Sequence, residues 1–207
     1  MPLILEGTEV NEKFWDLNKS KQDNMISSAV KIFALNGFRH ASTDEIVAEA
    51  SVSKGLLFHY FQSKSGLYSF LIEYCARFAL VELNSELRRK ETLSFFEFIR
   101  ALTRAEASAM RRYPYITLFL EQACKDGSAS DQDRNSLELY SGRLSELSAS
   151  SVLPETMTAE DAASIRRLLH LSAIDEASSL LGLGSFTPER YISAVSESVS
   201  FFEKFYN

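Results

Sequence analysis

The chain has 207 residues, a formal net charge of −6, and contents of 45% hydrophobic and 24% charged residues. These values are typical of a soluble globular protein with one ordinary core and a small extra module, and the acidic balance argues against a general nucleic-acid coat. No apolar run approaches the ~20 residues of a membrane span, and the N-terminus lacks the flanks of a signal peptide. We therefore expect a cytoplasmic protein with no membrane partner.

The charge is unevenly distributed along the chain. Residues 19–64 carry a net charge of +2, whereas residues 1–18 and 65–207 are acidic. A small basic module on an acidic body is typical of site-specific DNA binding, in which general attraction to phosphate stays modest. Because Cys75, Cys124 and the three scattered histidines lack metal-ligand spacing, we expect reduced, packed cysteines and neither a metal nor a cofactor. A redox-sensing thiol is the alternative.

The predicted elements begin after a mildly acidic extension, residues 1–18, which shows no clear period and is expected to be flexible or loosely docked. A first helix is predicted from Ser20 to Gly37, because apolar residues recur at three- and four-residue steps and glycine favours the position after a helix. A second helix opens at the capping residue Ser42, and Ser53 caps a third. None is amphipathic enough to stand alone in water, so the three are predicted to pack together.

A long fourth helix is predicted from Ser63 to Lys90, and five further helices follow, separated by breaks that contain proline or glycine. Their predicted spans are 93–112, 115–126, 131–150, 159–183 and 188–206. No sustained period-two pattern of β-branched residues occurs. The predicted fold class is therefore all-α, with a three-helix N-terminal module followed by a helical bundle.

Residues 42–61, STDEIVAEASVSKGLLFHYF, predict a helix-turn-helix, since two short helices are joined by a three-residue turn. The second helix of such a unit enters the major groove through its N-terminal end. Here that end carries Lys54, whose charge attracts phosphate, and Gly55, which lets the backbone approach DNA closely. The free N–H groups of a helix start also favour an anion. Leu57 and Phe61 are predicted to face the core.

The stretch NGFRHASTDEIVAEASVSKGLLFHYFQSKSGLY resembles the signature of the TetR/AcrR family of transcriptional regulators, and the similarity covers residues 19–78. The resemblance implies a regulator that binds double-stranded operator DNA as a homodimer and responds to a small-molecule effector, and it favours a repressor. We expect an extension at 1–18, a DNA-binding domain at 19–78 and an effector-binding and dimerisation domain at 79–207.

The resemblance also implies contacts with DNA by seven residues: Thr43, Lys54, Gly55, Leu56, His59, Tyr60 and Lys64. Three residues depart from the family's pattern. Ser51 stands where glycine is usual, which costs about 1 kcal/mol if its backbone is left-handed. Leu56 offers only an apolar contact, and Phe58 lacks the hydroxyl of the usual tyrosine. The alternative for Tyr60 and His59 is packing inside the protein, for Thr43 it is helix capping alone, and for Lys64 it is a solvated charge.

Residues 65–207 contain ten Phe and seven Tyr, more aromatic residues than a minimal helical bundle needs. Most are predicted to fill the core. Six side chains fall on helices that surround the ligand cavity in regulators that the chain resembles, and they are the candidates for an effector pocket: Phe95, Phe98, Tyr113, Phe119, Tyr140 and His170. Nothing in their spacing identifies a ligand.

The last helix predicts a second subunit. Its apolar residues cover about half of the circumference, whereas a helix that covers only its own core needs a stripe of ~100°. We predict a two-fold packing of the helices at 159–183 and 188–206. The candidate interface residues are Ile192, Ala194, Val195, Ser198, Val199 and Phe202. The alternative is a monomer whose terminal helix is deeply inserted.

Two other classes of function compete with a regulator. An enzyme is disfavoured, and no catalytic residue is expected, because the sequence has no Gly-rich phosphate loop, no nucleophile-elbow motif and no metal-spaced acid or histidine set. The second is a regulator-derived helical dimer that acts as an adaptor without DNA binding. The unusual residues Ser51, Leu56 and Phe58 support this adaptor.

Overall fold

The structure, a computed structural model, describes residues 12–88, 92–126 and 130–206. Within these ranges a short 3₁₀ turn, Glu12–Phe14, is followed by nine α-helices and no β-strand, so the predicted all-α fold class is confirmed. The helices are α1 Lys19–His40, α2 Thr43–Ala50, α3 Lys54–Phe61, α4 Lys64–Leu87, α5 Phe95–Arg112, α6 Ile116–Lys125, α7 Asp131–Ala149, α8 Ala159–Gly182 and α9 Pro188–Glu203. An isolated parallel bridge joins Ser94 to Val152. None of the described helices has the length and apolar character needed to cross a membrane.

The chain packs as two compact units. Of the described residues, the first unit contains those up to Phe78 together with Tyr113–Tyr140, and the second contains Ala79–Arg112 and Ser141 onward. The predicted domains share the break after residue 78, but the first unit also includes α6, which packs on α1. The functional division into a DNA-binding and an effector-binding domain stays a prediction.

Side-chain caps fix where most helices begin. The capping residues are Asn18, Ser42, Ser53, Thr158 and Thr187. Each accepts a hydrogen bond from a backbone N–H of the first turn, which would otherwise lack a partner. The predicted starts at Ser42 and Ser53 are confirmed, whereas α1 begins earlier than Ser20 because Asn18 is its cap. The first helix was predicted to end at Gly37; in the structure the backbone is non-helical there, with a φ of +67°, but α1 continues to His40.

The core of the first unit contains a cluster of aromatic rings at the C-terminal end of α3. Phe14 is 0% exposed, and the centroid of its ring lies 5.1 Å from that of Phe61 and 5.6 Å from those of Tyr60 and Phe70. Edge-to-face packing at such distances is favourable. The expectation of a loosely docked extension is therefore wrong for this part of it, while residues 1–11 lie outside the described residues.

The second unit is held by contacts of α5 with α8 and α9. Small side chains are buried along these helices: Ala101, Ala105, Ala109, Ala162, Ala173 and Ala177. An ion pair of 2.6 Å between Arg100 and Glu203, both partly exposed, joins α5 to the end of α9. At the other end of α9 the fully buried Tyr191 donates a hydrogen bond of 2.7 Å to Glu106 of α5. Polar contacts therefore join α5 to both ends of α9.

Candidate DNA-binding surface and ligand cavity

The turn between α2 and α3 has the geometry that the sequence indicates. Ser51 has φ 55° and ψ 44°, so its backbone is left-handed, which is the condition under which a non-glycine residue is costly there. The N–H of Val52 donates to the carbonyl of Val47 at 3.0 Å, which closes the end of α2. Ser53 Oγ accepts from the N–H of Leu56 at 3.1 Å and starts α3. These local bonds fix the direction in which α3 leaves the turn.

The N-terminal end of α3 is open to solvent. Lys54, Gly55 and His59 are exposed, and Leu56 is half-buried, as is Thr43 at the start of α2. A Cβ atom added to Gly55 would meet no atom within 4 Å. The packing of the described residues therefore does not require glycine at position 55. Close approach of an external partner to the backbone is a remaining reason for glycine there.

Lys54 forms an ion pair with Asp44 of α2, in which Nζ lies 2.8 Å from Oδ1. Both side chains are largely exposed, so the pair is worth less than about 1 kcal/mol and is readily exchanged for another anion. Asp44 also lies in the first turn of α2, where a negative charge is favourable. The sequence analysis missed this competition for Lys54, because a ten-residue separation carries no local signal.

Tyr60 and Lys64 are held by the protein itself. Tyr60 is 7% exposed, and its ring packs 5.6 Å from Phe14 and 5.0 Å from His59. The ring of Tyr60 therefore packs inside the protein, as the alternative to a DNA contact predicted. Lys64 Nζ donates to the carbonyl of Arg39 at 3.2 Å and lies 5.0 Å from the ring centroid of Phe38, which places it at the corner between α1 and α2.

The start of α4 depends on a glycine that the sequence analysis did not single out. A Cβ atom at Gly66 would collide with the carbonyl oxygen of Phe61, so any larger residue would displace the connection between α3 and α4. Ser63 Oγ accepts from the N–H of Gly66 at 2.9 Å. The same short connection carries Lys64 and so fixes its position next to α3.

The second unit contains a cavity of about 220 Å³ between α5, α7, α8 and α9. Of the six predicted pocket residues, Phe98 and His170 line it. Phe95 is buried nearby, with the guanidinium of Arg166 5.9 Å from its ring centroid. The half-buried Tyr140 belongs to the first unit and is not among the lining residues.

Tyr113 and Phe119 were also predicted to line the pocket, but both are buried in the core of the first unit. The hydroxyl of Tyr113 lies 2.8 Å from that of Tyr74 and donates to Asp23 Oδ1 at 3.0 Å. Phe119 packs between Phe33 and Tyr68, at ring distances of 6.4 and 5.7 Å. Tyr113 follows the end of α5 and Phe119 lies in α6, and their spacing in the sequence gives no sign of this placement.

The cavity combines an apolar wall with several polar groups. Glu106 Oε2 accepts the hydrogen bond from Tyr191, and burial raises the pKa of this carboxyl, although Tyr191 and the neighbouring His170 act in the opposite direction. Arg166 Nη1 donates to Ser148 Oγ at 2.6 Å. No group of three or more His, Cys, Asp or Glu side chains in the described part of the chain is placed to hold a metal ion.

The predicted dimer residues lie on two sides of α9. Val195 and Val199 are 1% and 0% exposed within the single chain, so they have no surface left for a partner. Ile192, Ala194, Ser198 and Phe202 are half-buried. The hydroxyl of Ser198 lies 3.1 Å from that of Ser172 on α8. The breadth of the apolar face thus reflects, in part, packing of α9 on its own unit.

Residues 25–69 match the family model described as "Bacterial regulatory proteins, tetR family". This range includes most of α1, all of the helix-turn-helix and the start of α4. Over these residues the chain is similar to regulators of the TetR family. The predicted resemblance is thereby confirmed for the residues that carried it.

Other comparisons find the same similarity. The chain is 38% identical over 56 residues to an uncharacterized HTH-type transcriptional regulator, YuxN, of Bacillus subtilis (strain 168), a match that spans 27% of this chain and 19% of that protein. A TetR-like regulator structure from Rhodococcus sp. RHA1 has 21% identity and a TM-score of 0.60, and covers 88% of this chain and 96% of that one. For a TetR family regulator from Chloroflexus aurantiacus J-10-FL the identity is 18%, the TM-score 0.59 and the coverage 95% and 97%. The solved structures show that the TetR-like fold extends over nearly the whole chain.

Three residues of this TetR-like protein escaped the sequence analysis for different reasons. Phe14 precedes the matched range, so the family pattern did not include it. Glu106 continues the helical spacing of the apolar residues Phe95 and Leu102 on α5, and a charge in that row is a signal that could have been used. Arg166 had no comparable signal, because its contacts lie on α5 and α7.

Proposed function

We propose that this protein is a transcriptional repressor that binds operator DNA as a homodimer and is released by a small molecule. The observation that carries the DNA-binding part is the exposed start of α3, where Lys54 and Gly55 follow the capping residue Ser53. A helix start in this position offers N–H groups and positive charge to the phosphates that border the major groove.

On DNA, Lys54 exchanges Asp44 for a phosphate oxygen, a change that costs little because the ion pair is exposed. Thr43 and Lys64 contact phosphates on either side, and the hydroxyl of Tyr60 does so from a ring that the core holds in place. Leu56 contacts an apolar group such as a thymine methyl. His59 lies beside them on the exposed face.

The proposed dimer uses α8 and α9. Leu168 and Leu171 of α8 are each 51% exposed, Phe201 of α9 is 58% exposed, and Phe205, which follows the end of α9, is 67% exposed. Large apolar side chains in this number on two neighbouring helices suit a four-helix packing with a second copy. A two-fold axis would present two α3 helices to half-sites about one DNA turn, ~34 Å, apart.

The dimer is tested by Leu171→Glu, since this exposed residue can be changed without disturbing the core. Sedimentation at micromolar concentration should show a dimer for the unmodified protein and a monomer for the variant. The control is Leu139→Glu on α7, where leucine is 73% exposed in the other unit and should not affect assembly. A stable monomer for the unmodified protein would refute the dimer. It would favour the alternative, a monomer whose terminal helix is deeply inserted.

The proposed effector occupies the cavity of the second unit and lowers the affinity for DNA. To shift the ratio of two conformations of the protein from 1:99 to 99:1, the effector must bind one conformation about 5.5 kcal/mol more tightly than the other. In a dimer the two effector sites share this difference. By linkage, operator DNA must weaken effector binding by the same factor. Equal effector affinity with and without operator would contradict this role.

The decisive experiment measures binding of the full chain to DNA fragments from its own genomic neighbourhood, in moderate salt with random DNA as competitor. We expect one near-palindromic site to be bound more tightly than random DNA. Failure to retain any fragment, by a protein that is folded and dimeric, would favour the adaptor and refute the proposed regulator.

A further inference from the structure

The cavity of the second unit contains a carboxyl group that is only partly satisfied. Among the hydrogen bonds of the described residues, Glu106 receives one, from the hydroxyl of Tyr191 to Oε2 at 2.7 Å. The carboxyl lines the cavity together with apolar residues such as Phe98, Leu102 and Leu169. A carboxylate accepts up to about four hydrogen bonds, so most of this capacity remains for a bound molecule.

The surroundings of Glu106 favour a cationic partner. Removal of a carboxylate from water is unfavourable unless an opposite charge or several donors replace the water. Tyr191 supplies one hydrogen-bond donor from α9, and His170 on α8 lies near the carboxyl. A ligand with a positive charge would compensate the part of the desolvation that Tyr191 and His170 leave uncompensated.

Arg166, another charged residue that lines the cavity, already has partners within the protein. Arg166 donates to Ser148 Oγ at 2.6 Å, and its guanidinium lies over the ring of Phe95. These contacts satisfy part of its hydrogen-bonding capacity and spread its charge over an aromatic face. A ligand carboxylate would have to displace them, whereas an ammonium group at Glu106 displaces nothing that the structure describes.

We propose that this cavity binds a small apolar molecule that carries a protonated amine, and that Glu106 is the residue that binds the amine. This inference rests on the proposed effector role of the cavity and names the chemistry of its ligand. A cavity of 150 Å³ holds benzene, so about 220 Å³ suits a body slightly larger than one six-membered ring. The apolar wall takes this body, and the amine lies at the carboxyl.

The test uses three probes that share one phenyl body: phenethylamine, phenethyl alcohol and phenylacetate. Isothermal titration calorimetry on the full-length protein should show the amine binding at least about tenfold more tightly than the alcohol, because a hydrogen bond between charged groups is worth about 1.5–3 kcal/mol. Phenylacetate should bind most weakly, since its carboxylate and Glu106 repel each other.

Two variants separate charge from shape. Glu106→Gln keeps the size of the side chain and an oxygen for Tyr191, so the fold is retained while the preference for amine over alcohol is lost. Ser145→Ala changes another lining residue, on α7, and should keep that preference. Equal preference in the unmodified protein and the Glu106→Gln variant would overturn the assignment of Glu106.

The amine affinity should also fall on acidification. The pKa of Glu106 is raised by burial, so the carboxyl takes up its proton at a higher pH than an exposed glutamate does. Below that pKa the ammonium has no carboxylate to bind. Tyr191 and His170 also face this carboxyl, and Arg166 lines the same cavity. In Glu106→Gln the part of this pH dependence that comes from the carboxyl should be absent.

The outcomes also separate this inference from the proposed function. Tighter binding of the alcohol or of phenylacetate would overturn the amine inference but leave the cavity as an effector site. Failure of all three probes, with operator binding intact, would overturn the inference while the proposed DNA-binding function stands. A preference for the amine that Glu106→Gln removes would support the inference, even if no operator were found.

Discussion

The two units of this protein fill their interiors in different ways. In the first unit aromatic rings touch one another in a continuous series that includes Phe14, Phe61, Phe70 and Tyr74. In the second unit the helices approach through alanines, and a cavity of about 220 Å³ remains between them. Each aromatic ring buries a large area, whereas an alanine buries little and leaves space around it.

This difference suits the functions proposed for the two units. A surface that reads DNA must keep its side chains in fixed positions, which a densely packed aromatic core favours. A site for a small molecule needs an enclosed space with a few polar groups, which small side chains on neighbouring helices leave open. The comparison predicts that loss of volume is costly in the first unit and that added volume is tolerated in the second.

The largest effect is expected for Phe14→Ala. Phe14 is fully buried against rings of α3 and α4, so the substitution leaves a cavity and should lower the free energy of unfolding by about 3–5 kcal/mol. Denaturant unfolding followed by circular dichroism measures it. Phe14→Leu is the control, because it keeps most of the volume and should cost clearly less. A loss below 1 kcal/mol for alanine would show that Phe14 is not part of the core of the first unit.

The second-largest effect is expected on DNA binding, for Lys54→Ala. If this lysine contacts phosphate, Lys54→Ala should weaken binding to operator and to random DNA by nearly the same factor, and the dependence of log K on log salt should decrease by about one. Asp44→Asn should do the reverse and strengthen binding, because it removes the anion that holds Lys54 in the free protein. Unchanged affinity in both variants would remove Lys54 from the DNA-binding surface.

The two units also differ in how much of them the sequence predicts. In the first unit the helix starts and the turn between α2 and α3 depend on neighbours in sequence, and the caps at Ser42 and Ser53 were predicted correctly. The positions of Phe14 and Asp44 depend on residues far along the chain and were missed. The cavity is a property of four packed helices, so of the six pocket candidates the structure brings only Phe98 and His170 to it.

A smaller effect is expected when the cavity is filled. Ala173 lines it from α8, and Ala173→Leu adds volume where the structure has space. Stability should change by less than about 1 kcal/mol, since extra volume is costly chiefly in a core that is already full. The variant should also lose phenethylamine binding. Ala29→Leu on α1 is the control: that alanine is 0% exposed in the dense first unit, and the change should cost about 1–3 kcal/mol. Equal costs at both sites would contradict the comparison.

The smallest effect, and the one with the opposite sign, is expected at Ser51. This residue has φ 55° and ψ 44°, a conformation that costs about 1 kcal/mol or more for a residue with a Cβ atom and is accessible to glycine without that cost. Its side chain is exposed, so Ser51→Gly removes no core contact. The gain is reduced by the greater freedom of glycine in the unfolded chain, which leaves a stabilisation of about 0.5 kcal/mol.

The matched control for this prediction is Ser53→Gly, the same substitution two residues further along the turn. Ser53 has a φ of −78°, so no backbone strain is relieved there, and its hydroxyl caps α3 at Leu56. Its loss should destabilise the protein by a few tenths of a kcal/mol. Thermal unfolding of both variants should therefore give shifts of opposite sign. Two shifts of the same sign would mean that the left-handed turn at Ser51 is not strained, and that serine serves there as well as glycine.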